Sequence, residues 1–503
     1  MTLTVCDHPR TTKGNRRGRR GGFSLSGIGF AHASFIPAVF VLASGSIAVS
    51  AELPSRPNIV LIYTDDQGQW GMGAYGNAEV RTPSMDRLAR EGALFLNAFT
   101  LTPVCSPSRA TLFAGRYPTE LGIDDWIDPA KEPEVGLDPA IVTWPKVLQA
   151  AGYRTALVGK WHLGTAPRFH PTKNGFHRFF GLLGGGTPPM KPTFEVDGKM
   201  KTFEGAASDI LASEAIRFVT EERQRPFLLC LHFRAPHSPY APVPESDSKP
   251  YAALDPKVPA GSGLPIEPGL PIEKVKRLTR EYYGSITCAD RNIGRLLDAL
   301  DGLGLAAKTL VLFTSDNGYM IGHHGLHHKG NGAWMVEGKT GNRPNMFEES
   351  IRVPMVARWP GVVKPGTRIE RVVSNLDFFP TVLGAAGVPI PAGAAVRGRS
   401  FLPYLRGESV RGGEEDVLFG QYDMHHYMPA RMRMLRTGGW KLIRHFEPGG
   451  EDELYDLGTD PGETLNLRAS QGAREILERL MARLDGEMSR VGDPSKGAPG
   501  RKP

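Results

Sequence analysis

Two segments of the chain end in oxygen donors. NIVLIYTDD, residues 58–66, finishes on Asp65 and Asp66, and TLVLFTSDNG, residues 309–318, carries Asp316 and Asn317. Three carboxylates and one amide carbonyl form a hard donor set, suited to Ca²⁺ or Mg²⁺ rather than to zinc or copper. Neighbouring residues on a regular strand point to opposite faces. Asp65 and Asp66 therefore share a site only if the backbone turns there. Aspartates are common at strand ends, so neither pair alone specifies a metal site. A third segment, Cys105-Ser-Pro-Ser-Arg109, leads into ATLFAGR, which ends on Arg116. Pro107 suits the first turn of a helix. Cys105 then lies beside free N–H groups at the positive end of the helix dipole, and Arg109 adds a fixed cation. The residues leave two readings open: a buried cysteine ahead of a helix, or a thiolate nucleophile of lowered pKa.

The acidic strand ends need a sheet to hold them. The runs at 58–66, 155–160, 226–233 and 309–318 are continuously apolar. Such runs are covered on both faces, which points to a largely parallel sheet. Helices are expected between them. One runs from Pro83 to Glu91, capped by Thr82 and stopped by Gly92. Others span 143–150, 207–221, 276–300 and 377–386. This alternation gives an α/β domain over 56–405, a large mixed but mostly parallel sheet sandwiched by helices. The pattern then changes. Residues 431–437 and 440–446 flank Gly438-Gly439 as a hairpin, 453–457 adds a strand, and a helix follows over 470–488. These form a smaller C-terminal α+β domain over 413–491, packed on the larger one. The polar tail, 492–503, is expected to be disordered.

The chain has 503 residues and a formal net charge of +7. Much of that excess lies in the first 51 residues, where six basic residues face Asp7 alone. The nearly balanced remainder gives no reason to expect nucleic-acid binding or a stable membrane partner. Residues 10–20 are basic, and 31–51 are apolar or small throughout. That order describes an export signal over 1–51, cleaved after Ser50 or Ala51. An uncleaved anchor is the competing reading, and Pro37 and the small residues count against it. Arg19-Arg20 faintly resembles a twin-arginine signal. Of the four cysteines, Cys6 lies in the leader, and Cys230 and Cys288 read as buried thiols rather than a bridge.

The CSPSR segment followed by Gly115-Arg116 resembles the signature of the type I sulfatases, formylglycine-dependent and arylsulfatase-like enzymes of the alkaline phosphatase-like superfamily. Other segments resemble that family in the same order: NIVLIYTDD, GKWHLG at 159–164, APHSPY at 235–240, SDNG at 315–318 and HGLHHKGN at 324–331. FEESIRVPMVARWPG at 347–361 and LYDLGTDPGETLNL at 454–467 complete the series. The resemblance covers about 57–467.

The resemblance implies an exported sulfuric ester hydrolase, periplasmic or secreted, of bacterial type. It implies that a separate maturing enzyme oxidises Cys105 to formylglycine (3-oxoalanine). One Ca²⁺ per chain, in preference to Mg²⁺, would be held by Asp65, Asp66, Asp316, Asn317 and modified Cys105. Asp316 would help deprotonate one hydroxyl of the hydrated aldehyde, which attacks sulfur to give a sulfoenzyme intermediate. Arg109, Lys160 and Lys329 would offset charge on the sulfuryl oxygens. His237 would protonate the leaving alcohol, and His162 would take the proton whose loss expels sulfate. Lys329 is preferred to Lys339 on the HGLHHKG spacing, and His237 to His232 because it lies in APHSP. Lys160, His237, Lys329, His324 and His328 are the implied substrate contacts. The implied substrate is a sulfated saccharide or an aryl sulfate.

Two further readings remain open. A phosphate mono- or diester hydrolase on the same scaffold would call for a second ligand set. A non-catalytic binder of sulfated glycans would follow if Cys105 stays a thiol. Gly71-Met-Gly73-Ala-Tyr-Gly76 fits a nucleotide fingerprint in letters only, because no helix opens after it. His323, His324, His327 and His328 sit among glycines, which argues against a zinc site. His425, His426 and Tyr427 are candidates to reach the pocket. Trp126 and Tyr319 are candidates to stack on a sugar, although Trp126 equally suits ordinary packing.

Overall fold

A computed structural model describes residues 56–221, 224–258, 268–408 and 416–496. The export-signal expectation over 1–51 lies outside the described residues. Ten strands form one sheet in the order Thr367–Ser374, Ala93–Phe99, Met355–Arg358, Thr309–Ser315, Asn58–Asp65, Phe227–Pro236, Arg154–Lys160, Arg178–Leu182, Thr193–Val196 and Lys199–Thr202. The central strands are parallel, as their unbroken apolar runs predict. Met355–Arg358 runs against both neighbours, and two antiparallel strands close the far edge, so the sheet is mixed.

Strand periodicity sorts the core. Val60 and Ile62 point into one apolar cluster, with Tyr282, Ile286, Ile293 and Leu297 of the helix Ile272–Gly302. Ile59, Leu61 and Tyr63 point into the other, with Ala110, Leu112 and Phe113 of the helix Cys105–Ala114. Helices Pro83–Glu91 and Ala207–Thr220 cover the first face, and Trp144–Ala150 and Phe378–Ala386 the second. Every residue of Cys105–Ala114 is buried, and it stops at Gly115, whose left-handed φ of 62° lets its N–H donate to Thr111 O. No helix opens at Gly71–Gly76, which instead spans two single 3₁₀ turns. Cys105, Cys230 and Cys288 are buried free thiols.

The C-terminal portion is a four-stranded antiparallel sheet, Val417–Met424, Ala430–Thr437, Trp440–His445 and Glu453–Asp456, with the helix Arg474–Val491 against it. Val417–Met424 was not foreseen from the sequence. Gly420 interrupts it, and glycine ordinarily weakens a strand. Here a Cβ on Gly420 would stand 2.9 Å from Leu101 O, so the missing side chain lets this sheet approach the larger domain. The disordered-tail expectation from Gly492 is corrected for residues 492–496. Arg433 is fully buried and pairs with both Asp423 and Asp493; Gln421 Nε2 also donates to Asp493 Oδ2 at 2.6 Å. Residues 497–503 lie outside the described residues.

Gly159 sets the spacing of the strands that carry Lys160 and His232. Its φ is +122°, and a Cβ there would lie 1.8 Å from His232 O. Gly152 has φ +91° but open space around it. Gly159→Ala should therefore cost about 3 kcal/mol or more, through clash as well as strain. Gly152→Ala should cost about 1 kcal/mol from backbone strain alone. Urea unfolding of the two variants tests the difference, and equal losses would refute the close-approach argument.

Candidate functional site

Thr64 lies opposite Ser315 on adjacent parallel strands, so the residues that follow each strand end face one another. Asp66 has φ +68°, the turn that two adjacent aspartates need in order to share a site. The Asp66 N–H donates to Asp316 Oδ1 at 3.0 Å, and Asn317 Nδ2 donates to Asp66 Oδ1 at 2.8 Å. The hydroxyl of Tyr282 donates to Asp66 O at 2.8 Å and holds the turn from the helix side. Ligand atoms of Asp65, Asp66, Cys105 and His237 all lie within 4.8 Å of one another.

Three buried cations stand among the carboxylates. Arg109 donates from Nε and Nη2 to Asp316 Oδ2 at 3.1 and 2.7 Å, and from Nη1 to Lys160 O at 3.2 Å. Lys160 Nζ donates to Asp65 Oδ2 at 2.6 Å. Lys329 Nζ bonds Asp66 and reaches Cys105 Sγ at 2.9 Å. Lys339 instead lies over the Trp334 ring. Burial works to raise the Asp65 carboxyl, but Lys160, His237 and Arg109 hold it below the usual carboxylate range. Lys329 and His237 do the same for Asp66 against its burial. Asp316 goes the other way, raised by burial and by Asp65 although Arg109 opposes. Of the three it is the carboxylate best disposed to accept a proton.

Burial pushes the Cys105 thiol up to about 11, although Lys160 and Lys329 oppose it. The lowered-pKa thiolate reading is therefore corrected: at a helix start this dry, desolvation outweighs the neighbouring cations.

The histidines divide by position. His162 has φ +57°, and its Nε2–H donates to Ile127 O at 3.0 Å. Its Nδ1 is buried with no hydrogen-bond partner. Burial, Lys160 and Arg109 hold the ring neutral, well below the ordinary histidine range. His237 donates from Nδ1 to Ser238 O at 2.7 Å, with Nε2 3.7 Å from Asp66 Oδ2. His232 is fully buried behind the site, donates to Lys160 O at 3.1 Å, and is pushed down to about 3 by burial and Arg109.

Asp65 Oδ1 and Asn317 Oδ1 are buried oxygens with no hydrogen-bond donor. Two unpaired hard acceptors beside Asp66 and Asp316 fit a calcium-sized cation. A thiol at Cys105 is too soft a ligand for it, whereas an oxygen at that position completes the set.

Above these residues opens a cavity of about 610 Å³, lined in part by Asp66, Cys105, His162, His237, His328 and Lys329. His324 is not among the lining residues, which corrects its assignment as a substrate contact. Gly322 and Gly325 are left-handed, as is His324 itself, and the turn lays His324 flat on Phe347 at 3.8 Å, with Nε2 3.1 Å from Glu349. Tyr319 is also corrected as a sugar-stacking candidate. It is fully buried, stacked on Tyr282 and bonded to Tyr240. Trp126 and Tyr427 do line the cavity. Asn331 and Asn342, which the sequence reading passed over, line it too. Asn331 follows Lys329 closely enough that the lysine loop could have flagged it; Asn342 had no such signal.

The family described as Sulfatase matches residues 57–388, and the N-sulphoglucosamine sulphohydrolase C-terminal family matches 341–490. The chain is 29% identical to the steryl-sulfatase of Mus musculus, over 88% of this chain and 84% of the relative. It is 27% identical to the N-acetylglucosamine-6-O-sulfatase of Bacteroides thetaiotaomicron, over 88% and 89%. A solved structure in complex with its substrate D-glucosamine-2-N,6-O-disulfate is similar with a TM-score of 0.76 at 27% identity, covering 88% of this chain and 99% of that one. The Sulfatase match runs through both acidic strand ends and the helix that starts at Cys105, and the chain belongs to the sulfatase family as a sulfuric ester hydrolase.

Proposed function

We propose that this chain is a formylglycine-dependent, calcium-requiring sulfatase that releases inorganic sulfate from a sulfated saccharide. The observation that carries the reading is Cys105 at the buried start of a helix, in contact with Lys329 and grouped with Asp65 and Asp66. A bound Ca²⁺ would supply positive charge to the sulfuryl oxygens, and oxidised, hydrated Cys105 would supply the attacking hydroxyl. Asp65, Asp66, Asp316 and Asn317 would hold the ion.

The remaining work falls to the chain's own side chains. Asp316, the carboxylate with the raised pKa, takes the proton from residue 105. Arg109 fixes Asp316 in position and, with Lys160 and Lys329, offsets charge on sulfate. His237 has Nδ1 committed to Ser238 O, so Nε2 is the atom that can pass a proton to the departing alcohol. His162 has Nε2 committed to Ile127 O, so its free Nδ1 is the base for the second proton. The saccharide preference is supported by likeness to the bacterial relative and to the solved glucosamine disulfate complex. Among the described residues no helix is long and apolar enough to cross a membrane. Export to the periplasm or medium is proposed from the leader at 1–51, and conversion of Cys105 by a separate maturing enzyme from the CSPSR motif.

Peptide mass spectrometry across Cys105 of enzyme from its natural host should read an aldehyde. Cys105→Ala should lower sulfate release by about 10³-fold or more while leaving the unfolding midpoint near wild type. A thiol in fully active enzyme would refute the nucleophile. Comparable kcat/KM on matched sulfate and phosphate esters would replace the reading with a phosphate ester hydrolase.

Removal of divalent ions by a chelator should suppress turnover, and Ca²⁺ should restore it. Asn317→Ala should weaken Ca²⁺ affinity by about 10- to 100-fold, measured by calorimetric titration. Full activity after verified metal removal would overturn the metal assignment.

A further inference from the structure

The loop 425–429 joins two strands of the C-terminal sheet and is latched to a catalytic-domain loop. Asp125 Oδ2 accepts the N–H groups of His425 and His426 at 3.0 and 3.3 Å. The Nε2 atoms of His425 and His426 meet the two carboxylate oxygens of Glu132 at 3.0 and 3.1 Å. The His426 ring lies 4.3 Å from the Trp126 ring, and its Nε2 also meets Trp126 O at 2.7 Å. These contacts carry Tyr427 to the cavity wall, 56% exposed, with its ring 6.3 Å from Trp126. An exposed tyrosine on a loop latched through its neighbours, beside a second aromatic ring on a cavity wall, points to a ligand surface.

Other lining groups are polar. Asn331 and Asn342 line the same cavity, with Asn342 Nδ2 donating to Asn331 O at 2.8 Å. Trp126 Nε1 and Asn331 Oδ1 have no hydrogen-bond partner in the protein. An aromatic pair together with amides and one unmatched donor and acceptor suits a ligand with apolar C–H faces and a hydroxylated edge. A pyranose ring has that form. A sterol or a simple aryl ring lacks the hydroxyl edge, and leaving site polar groups unpaired costs affinity.

Resting on the sulfatase reading, we infer that Trp126 and Tyr427 are the stacking platform for a sugar ring of the substrate. Asp125, Glu132, His425 and His426 are positioning residues that hold the platform across the two domains. The loop 425–429 then sets preference for a saccharide over a small aryl sulfate.

The test uses matured, calcium-loaded enzyme, a panel of sulfated hexosamine, galactose and uronate disaccharides, and 4-nitrophenyl sulfate. Tyr427→Ala should lower the ratio of kcat/KM for the best disaccharide over the aryl ester by about 3- to 10-fold, mainly through KM. Trp126→Ala should act in the same direction, and Tyr427→Phe should keep the ratio within about twofold. Equal losses on both substrate classes would assign the residues a structural role and overturn the inference, as would unchanged disaccharide kinetics. A second measurement is independent of turnover: the Cys105→Ala protein is titrated with the same disaccharides, followed by tryptophan fluorescence. Binding that weakens on adding Tyr427→Ala supports the platform even if matured enzyme with Cys105 intact releases sulfate from no member of the panel, an outcome that would fail the sulfatase reading alone. Binding of no disaccharide, or binding indifferent to Tyr427→Ala, overturns the platform while leaving aryl sulfate hydrolysis to stand.

Discussion

Pairing of buried charges governs this site. Asp65, Asp66 and Asp316 are buried with Arg109, Lys160 and Lys329, each of the six at most 5% exposed. Taking one member away leaves a buried charge without a partner, which costs about 3–5 kcal/mol. The elements must therefore deliver all six together. The Thr64–Ser315 register places the three aspartates, Gly159 lets the Lys160 strand close on its neighbour, and the helix Cys105–Ala114 delivers Arg109. Balance does not make the carboxylates equivalent. Asp65 and Asp66 each have a lysine and fall, whereas Asp316 shares its guanidinium with a nearby Asp65 and rises. One compact arrangement thus gives three neighbouring carboxylates different proton affinities.

The C-terminal sheet is tied into the same arrangement. Lys441, fully buried, meets Glu463 at 2.8 Å and Glu348 at 3.3 Å, and Arg436 meets Glu348 at 3.2 Å. Glu348 begins the turn of helix that contains Ser350, and Ser350 O accepts the N–H of Gly318, next to Asn317. Asn345 bonds Ser350 through Oδ1 and Lys329 O through Nδ2. A cation of the C-terminal portion is thus a few bonds from both the Asn317 loop and the lysine loop. His324, bonded to Glu349, belongs to this joint rather than to the cavity.

How much of this was legible in the sequence follows from which forces are local. The four buried parallel strands were visible because continuous apolar runs have few other uses. The helix Pro83–Glu91 was visible to the residue because Pro83 starts it and Gly92 ends it. The residues drawn together around Cys105 were legible through ordered motifs. What stayed hidden depended on distant partners. Val417–Met424 contains a glycine that makes sense only against Leu101, and Asp493 is ordered by a buried arginine sixty residues earlier. Which histidine of 323–328 faces the cavity depends on left-handed turns with no helical or strand period to follow. Tyr319 looked available after SDNG, but its hydroxyl and ring are both spent on Tyr240 and Tyr282.

Burial also bears on when residue 105 can be changed. Cys105, Ser106, Pro107, Ser108 and Arg109 are all buried, and Ser108 bonds the backbone of Asp316 while Asn375 Nδ2 holds Ser108 O at 3.1 Å. An enzyme that reads this segment would have to pull it out of contact with the sheet, expose Arg109 and leave Asp316 without its counter-charge. The cost of that opening approaches the stability of a whole domain, on the order of 5–15 kcal/mol. If residue 105 is oxidised as proposed, oxidation before the helix closes against the strand ends would avoid that cost.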